Sequence, residues 1–474
     1  MTDIALEPGS FRDRTARVFY HQGKIFRGLS DSAFKEWQAL SATSFFQRFT
    51  ANGGIVPTRQ GDHSSLPLTP GDHQWTAVLE HETIPFISYP YEWSFQMLKD
   101  AALLQLDLLL AALDEGMSLK DASAYNIQWR GAAPVFVDLA SFYSRRPGEP
   151  WVGYRQFCQL FLYPLLLQAY RGIPFQPWLR GSLDGMDADV CLRMLSARDY
   201  LRAGVLAHVV LQARAQRAYA STTRDVRADL RAAGFDTRLI KANATRLRAL
   251  VDGLAWHAEP STWSDYVDCG HYEPADMTQK REFVRAASGT REWNLAWDLG
   301  CNVGIFSRIV AERAKYVVAM DADQVAVDRL YRALHAEGGR TILPLVVNLT
   351  DPSPDLGWRN LERKRLVSRG RPELVLCLAL IHHVVIGANI PLAEFLEWLR
   401  SLGAELIIEF VTREDPMVKT LLRNKEDQYA DYQLDVFERE LAARFTLARR
   451  QALGSGTRIM YFAAPSPVAG RHDD

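Results

Sequence analysis

The stretch that most constrains this chain is Trp297-Asp298-Leu299-Gly300-Cys301-Asn302-Val303-Gly304-Ile305-Phe306. An apolar run ends in an acid, meets two glycines, and passes at once into a second apolar run. That is the pattern of a buried strand, a tight turn and a helix. Glycine has no Cβ, so a backbone turning at Gly300 and Gly304 lets its amides approach a ligand closely. Tyr316 to Met320 reads as a second strand and ends in Asp321. An acid there, about 20 residues beyond the turn, is where a doubly wound sheet holds a ribose.

Strand and helix patterns alternate from Asn294 onward, which implies a parallel sheet covered on both faces. The expected strands are Leu295 to Leu299, Tyr316 to Met320, Thr341 to Val347, Leu374 to Leu380 and Glu405 to Phe410, with a late one at Arg458 to Ala463. Expected helices are Ile305 to Ala314, Val325 to His335 and Tyr429 to Phe445. Ligands in such sheets sit beyond the carboxyl ends of the strands. That rule gathers Asp298, Gly300, Asn302, Gly304, Asp321, Asn348, His382 and Glu409 around one crevice.

A dinucleotide fingerprint requires Gly-x-Gly-x-x-Gly, whereas position 302 is Asn and Ile stands at 305. Asp298 before the first glycine also suits a cationic or amino-bearing ligand end better than a diphosphate. The segment Asp298-Leu-Gly-Cys-Asn-Val-Gly304 resembles motif I of class I S-adenosylmethionine-dependent methyltransferases, Asp-x-Gly-x-Gly-x-Gly. Asn in place of the middle glycine tolerates positive φ better than most residues. The resemblance spans residues 294 to 463 and implies S-adenosylmethionine as cofactor. It implies that Gly300 to Gly304 wrap the methionine and ribose portion, that Asp321 accepts from the ribose hydroxyls, and that Asn348 and Leu349 flank the adenine. The segment before the first strand is implied to lie over the cofactor, which makes Tyr266, Tyr272 and Lys280 candidates, with Glu409 at the end of strand five. Trp263 and these tyrosines packing against the sheet is the structural alternative. The phrases at Pro352 to Trp358, Leu378 to His383 and Leu406 to Val411 resemble bacterial methyltransferases related to a nodulation protein.

The first 180 residues form a different pattern. Two short strands in residues 16 to 29 join at Gln22-Gly23. Ser30-Asp31-Ser32 offers an N-cap for a helix carrying Phe34, Trp37, Leu40 and Phe45. Strands at Gly54 to Thr58, Trp75 to Glu80 and Ile84 to Ser88 precede an aromatic break and a long buried helix, Phe95 to Leu113. Asp121, Asn126 five residues later and Asp138 after a short β excursion have the spacing of a kinase catalytic loop and its metal-binding Asp. The order of elements resembles the protein-kinase-like fold, with Tyr154 to Tyr170 as its second-lobe helix. The chain departs from it: no glycine-rich phosphate loop or Val-Ala-Ile-Lys strand is visible, and Lys120 stands where Arg is usual. The alternative is that Asp121 and Asn126 cap a turn and Asp138 is a solvated strand end.

The expected organisation is α/β: an α+β and kinase-like domain over 1–180, a helical connector over 181–275, a Rossmann-like methyltransferase domain over 276–465 and a disordered tail over 466–474. The Arg-dense face at Arg214, Arg217, Arg224, Arg227 and Arg231 is interspersed with Asp225 and Asp229 and reads as solvated. With a formal net charge of -1, no nucleic-acid partner is expected. Five scattered cysteines read as free thiols in a reducing cytosol. The first residues lack the apolar core of a secretory signal, and no apolar run approaches the ~20 residues of a membrane span, so a cytoplasmic location is expected.

Methyl transfer needs a nucleophile held in line, water kept out and, for some acceptors, a base. His382 and His383 end the fourth strand, and an imidazole titrates near neutrality, so either is a candidate base. The alternative is that one lines the cofactor floor or caps the strand. No Asn-Pro-Pro-Tyr and no Pro-Cys follows that strand, which argues against amide and C5-cytosine chemistry. A hydroxyl of a small molecule or saccharide is the expected acceptor. A bifunctional kinase and methyltransferase, and a cofactor-binding scaffold without turnover, stand beside it.

Overall fold

The computed structural model describes residues 4–62, 75–220, 236–259, 274–423, 425–426 and 428–466. Trp263, Tyr266, Tyr272, Cys269, the arginines at 224, 227 and 231, and residues 467–474 of the expected tail lie outside the described residues. The chain divides into two compact units. The first takes in Met1–Trp129, Ala133–Glu259 and Asp355–Arg363; the second Arg130–Ala132, Pro260–Pro354 and Lys364–Asp474.

The first unit carries a five-stranded antiparallel sheet of β1 (Ala5–Leu6), β2 (Ala16–His21), β3 (Lys24–Leu29), β4 (Thr58–Gln60) and β5 (Ala77–His81), in the order β1-β2-β3-β5-β4. Gln22 and Gly23 both hold positive φ, which a two-residue hairpin matching strand twist requires. Ser30 caps the helix Asp31–Ser41 by accepting from the Ala33 amide. Ser94 does the same for the 20-residue helix Phe95–Asp114, whose apolar face is buried. The helix Thr237–Gly253 packs along it, with Arg248 Nε on Asp107 at 2.5 Å and Lys241 paired to Asp114. Two small ladders follow: β6 (Met117–Leu119) with β9 (Phe142–Ser144), and β7 (Ile127–Arg130) with β8 (Ala133–Phe136).

Four expectations here need correction. Phe45 is not on the helix of Phe34 to Leu40 but on a second helix, Ser44–Ala51, which Thr43 caps by accepting from the Phe46 amide. Gly54 to Thr58 is not a strand, and β4 begins only at Thr58. Ile84 to Ser88 is not a strand, because the Gln128 amide takes both backbone groups of Ser88 that a neighbouring strand would need. The helix at Tyr154 to Tyr170 is broken by a π turn, Cys158–Leu162, before Tyr163–Arg171. Pro164 cannot donate to the preceding turn, and a π bulge absorbs that loss.

The second unit is a seven-stranded sheet. Its members are β10 (Trp293–Leu299), β11 (Ala314–Asp321), β12 (Ile342–Val346), β13 (Leu374–Cys377), β14 (Glu405–Val411), β15 (Phe445–Ala452) and β16 (Arg458–Pro465). The order is β12-β11-β10-β13-β14-β16-β15; the first five are parallel and the last two antiparallel. The sheet is therefore mixed, where a parallel one was expected, and β15 escaped the sequence reading. It is an edge strand with almost every side chain exposed, so it lacks the alternation that marks a half-buried strand. The helix after β10 stops at Val310, since β11 already begins at Ala314. Strand β13 ends at Cys377 because Ala379 turns to φ 50. The last helix is only Leu434–Ala442: Tyr432 precedes it, anchored by its hydroxyl to the Val411 carbonyl, and Phe445 opens β15.

The order reverses at β10, between β11 and β13. At that switch point the two chain excursions leave on opposite sides, opening a crevice above the carboxyl ends of the strands.

Candidate active site

The crevice has a volume of about 730 Å³. Its floor is the turn after β10. Gly300 and Cys301 both donate their amides to the Met320 carbonyl, at 2.8 and 3.0 Å, hooking the turn onto the neighbouring strand. Gly300, Asn302 and Gly304 all hold left-handed φ, of 77, 48 and 78°. Asn302 is stabilised there by its side-chain Oδ1, which accepts from the Val303 amide at 2.7 Å, the local bond that lets Asn stand in for glycine.

Asp321, at the end of β11, is one of two carboxylates on the crevice wall, with Asp323 two residues on. One carboxylate oxygen accepts from the Asn302 amide at 2.8 Å and the other from the Asp323 amide at 2.9 Å. Burial pushes its carboxyl up, and the backbone hydrogen bonds oppose that shift. Asp323 in turn caps the helix Gln324–Ala336. Beyond β12, Asn348 and Leu349 form another part of the wall, with Asn348 Oδ1 accepting from the Thr350 amide and hydroxyl. After β13 come Leu378 to Leu380 and then His383. The helix Pro274–Ser288 contributes Met277 and Lys280, three residues apart and hence on one face.

Seven of the sequence candidates therefore line one crevice: Gly300, Asn302, Asp321, Asn348, Leu349, Lys280 and His383. Four others are placed one layer beneath it. Asp298 is buried and accepts from the Ser307 hydroxyl at 2.6 Å; desolvation, partly offset by that bond, raises its carboxyl to about 6. Gly304 begins the next helix, and a Cβ there would stand 2.6 Å from Leu330 Cδ1. Glu409 is fully buried between Lys280 and Arg458. His382 points into the core: it is fully buried, and among the described residues neither ring nitrogen has a hydrogen-bond partner. Burial holds its basicity well below that of a free imidazole, with the charges of His383, Arg458 and Lys280 adding to the effect.

His383 is the imidazole that faces the crevice. Burial, with a contribution from Arg458, lowers it to about 4, so it is neutral at neutral pH. A neutral imidazole accepts a hydrogen bond and orients a nucleophile, but one of this basicity takes a proton outright only in a late transition state.

Sequence reasoning missed Met277, Phe306 and Asp323 on the crevice wall, and Arg458 and Asp415 behind it. The spacing of Met277 and Lys280 was a usable signal. Nothing in the sequence pairs Glu409 with Arg458, 49 positions away.

In the first unit, Asp121 and Asp138 lie close enough that Asp138 adds to the burial that raises the Asp121 carboxyl. The Asn126 carbonyl accepts from the Val137 amide at 2.9 Å, and its side-chain nitrogen has no partner among the described residues. Asp138 accepts from Arg27 Nη1 at 2.5 Å. The local turn is capped by Ser123 rather than by Asp121. Among the described residues, no group of His, Cys, Asp and Glu is placed to hold a metal, and no helix is long and apolar enough to cross a membrane.

The sheet order, its antiparallel outer pair and the crevice at the switch point define the second unit as a Rossmann-like, doubly wound domain. The chain is 33% identical over 455 residues to the nodulation protein NoeA of Rhizobium meliloti (strain 1021), covering 96% of this chain and 94% of that one. It belongs to the NoeA family of nodulation proteins. No protein-family model matches the sequence. Among solved structures, it is similar to the N-methyltransferase NodS of Bradyrhizobium japonicum WM9, at 10% identity over 41% of this chain and 99% of that one, with a TM-score of 0.30. Magnesium protoporphyrin IX methyltransferase (ChlM) of Synechocystis PCC 6803 with bound S-adenosylhomocysteine is another, at 20% identity over 40% and 84% of the two chains and a TM-score of 0.29.

Proposed function

We propose that the second unit binds S-adenosylmethionine in the crevice and transfers its methyl group to a hydroxyl of a small molecule or saccharide. The observation that carries this reading is the Asp321 carboxylate, held against the glycine turn by the Asn302 amide inside a crevice of about 730 Å³. The residues present fit the cofactor. The left-handed turn at Gly300 and Asn302 gives a backbone cradle that a β-branched side chain would close, Asp321 offers acceptors for a diol, and Leu349 offers an apolar face for a base. When bound, S-adenosylmethionine supplies an electrophilic methyl group on a sulfonium.

Each protein group then has a task. Asp321 accepts from the ribose hydroxyls, while Asn348 and Leu349 flank the adenine. The apolar side chains Leu378, Leu380 and Val384 keep water from the reacting end. His383 accepts a hydrogen bond from the incoming hydroxyl, orients its lone pair and takes its proton late, as the new carbon–oxygen bond forms and the methyl carbon–sulfur bond breaks to leave the thioether product; the proton then passes to water. His382 and Asp298 support this layer from below; His382 has no exposure through which to meet an acceptor. The test is transfer of radiolabel from methyl-labelled S-adenosylmethionine into saccharide and small-molecule fractions. Cofactor binding with no label in any fraction would reduce the protein to a binding scaffold.

A second reading concerns the first unit, where a kinase-like phosphoryl-transfer site is favoured by the electrostatic influence of Asp138 on Asp121 and by an Asn126 side-chain nitrogen without a partner among the described residues. The Arg27 guanidinium on Asp138 opposes it, because it occupies a carboxylate that would hold magnesium. Calorimetry of the full chain with magnesium and ATP decides: no heat, or heat unchanged in Asp138→Ala, removes this reading.

A further inference from the structure

The turn that carries His383 to the crevice, His383–Gly387, is held from outside. It is a single π turn, closed by the Ala388 amide donating to the His383 carbonyl at 2.9 Å. No second turn follows, because Asn389 swings to φ 59 and Pro391 lies just beyond it. The last carbonyls, of Ile386 and Gly387, are therefore left without a donor of the turn's own. Lys425 supplies one. Its ammonium donates to the Ile386 carbonyl and reaches the Gly387 carbonyl at 3.1 Å, Asn389 Oδ1 at 3.2 Å and the Tyr429 hydroxyl at 3.2 Å. The Tyr429 hydroxyl donates to Asn389 Oδ1 and lies 3.3 Å from the Ile386 carbonyl. Tyr429 is itself buried, and its carbonyl accepts from Arg413 Nη1 at 2.8 Å, just past the end of β14.

An isolated turn fixes several dihedrals for one hydrogen bond and does not hold by itself. A cation on its carbonyl end opposes the partial negative charge there and satisfies the open acceptors. Both ends of this turn form crevice wall, His383 and Val384 at one end and Gly387 and Ala388 at the other, while Lys425 and Tyr429 stand behind it. Whatever fixes the turn fixes which imidazole meets the crevice, since His382, one position earlier, is fully in the core.

We propose that Lys425 and Tyr429 are positioning residues for His383: their clasp on Ile386, Gly387 and Asn389 sets the turn that aims its imidazole into the crevice. This rests on the reading of His383 as the group that receives the acceptor hydroxyl. The clasp belongs to the acceptor side, because the glycine turn and Asp321 stand on β10 and β11. The groups that bear on the His383 ring are Arg458, by charge, and the ring of His382, 4.1 Å away between centres.

The test is a nuclear magnetic resonance titration of the full chain labelled at the histidine rings, with the His383 signal identified by its loss in His383→Gln. Between about pH 5 and 8 the wild-type ring is expected to stay neutral, whereas a ring opened to water titrates near ~6.5. Lys425→Met and Tyr429→Phe are each expected to move the His383 midpoint up toward ~6.5. Tyr429→Phe removes no charge, so its shift reports geometry alone. Lys425→Arg, which keeps the cation, is expected to stay near the wild-type value. Affinity for S-adenosylhomocysteine in Tyr429→Phe is expected to stay within about threefold of wild type. A wild-type ring that titrates near ~6.5 overturns the assignment. So do folded Lys425→Met and Tyr429→Phe proteins that lose stability while the His383 midpoint stays put, because a cap of purely structural value behaves that way. A loss of S-adenosylhomocysteine affinity beyond about tenfold in Tyr429→Phe overturns the placement on the acceptor side. Failure of the wild type to bind S-adenosylhomocysteine overturns the cofactor reading instead, and the titration still judges the clasp.

Discussion

The backbone amide of Asn302 donates to Oδ2 of Asp321 at 2.8 Å, tying the turn after β10 to the end of β11. The second oxygen is held by the Asp323 amide at 2.9 Å. Asp321 therefore shapes the turn as well as facing the crevice. Removing a charged hydrogen-bonding group of this kind costs ~1.5–3 kcal/mol. Asp321→Ala should weaken S-adenosylhomocysteine binding by about 10- to 100-fold in calorimetry. Asp321→Asn, which keeps one acceptor, should fall between the two. Affinity equal to wild type in Asp321→Ala would place the ribose elsewhere.

Gly300 and Gly304 share a left-handed φ but differ in what surrounds them. A Cβ on Gly304 meets Leu330 at 2.6 Å, in the packed layer beneath the crevice; one on Gly300 meets Leu380 at 3.4 Å, an ordinary contact at the crevice wall. Gly304→Ala should therefore lose stability through both strain and overpacking, by ~2–4 kcal/mol. Gly300→Ala should lose only the backbone part, ~1–2 kcal/mol. Urea titration of each variant measures the difference, and equal losses would mean that Leu330 yields without cost.

What was legible in the sequence follows from which physical signals are local. The turn at Gly300 to Gly304 and the acid Asp321 are read from neighbours within about 20 positions, because a strand, a turn and a helix are short-range patterns. The caps Ser30 and Ser94 are local in the same way. Strand β15 is illegible in the sequence because an exposed edge carries no hydrophobic period, and β13 reads longer than it is because nothing apolar distinguishes Cys377 from Ala379. His382 and His383 look equivalent in sequence. Only the turn that starts at His383 puts one ring on the crevice and the other in the core. Partners such as Arg458 for Glu409 depend on strands β14 and β16 being neighbours, which pairing across the sheet decides.

Glu409, buried between Lys280 and Arg458, makes a stability prediction that does not depend on any ligand. Glu409→Gln alone leaves Lys280 and Arg458 facing each other without the carboxylate between them, and breaking a buried pair costs ~3–5 kcal/mol. Lys280→Met alone leaves Glu409 paired to Arg458 and should cost less. Combining the two removes one cation and one anion together, so the double variant should be more stable than Glu409→Gln. A double-mutant cycle from guanidinium titrations gives the coupling. Strict additivity would mean that Lys280 and Glu409 do not interact energetically.

His383 and Asp298 set opposing acid responses. Burial, with Arg458 adding to it, holds folded His383 at about 4, whereas an unfolded chain takes up that proton near ~6.5. Between these values the unfolded state binds more protons, so the stability contributed by neutral His383 is complete above ~6.5 and is lost as pH falls toward 4. Asp298 runs the other way. Burial raises its folded carboxyl to about 6, against ~3.9 unfolded, so its contribution is complete below ~3.9 and is lost as pH rises through about 6. The difference in unfolding free energy between wild type and His383→Gln should therefore grow from pH 4 to 6.5, by at most ~3 kcal/mol. The difference between wild type and Asp298→Asn should shrink over pH 4 to 6. Chemical denaturation across that range, with all three proteins in the same buffers, reads both slopes. A His383→Gln difference that is flat or falls with pH would show that the His383 imidazole titrates as it does in water and is not buried as described.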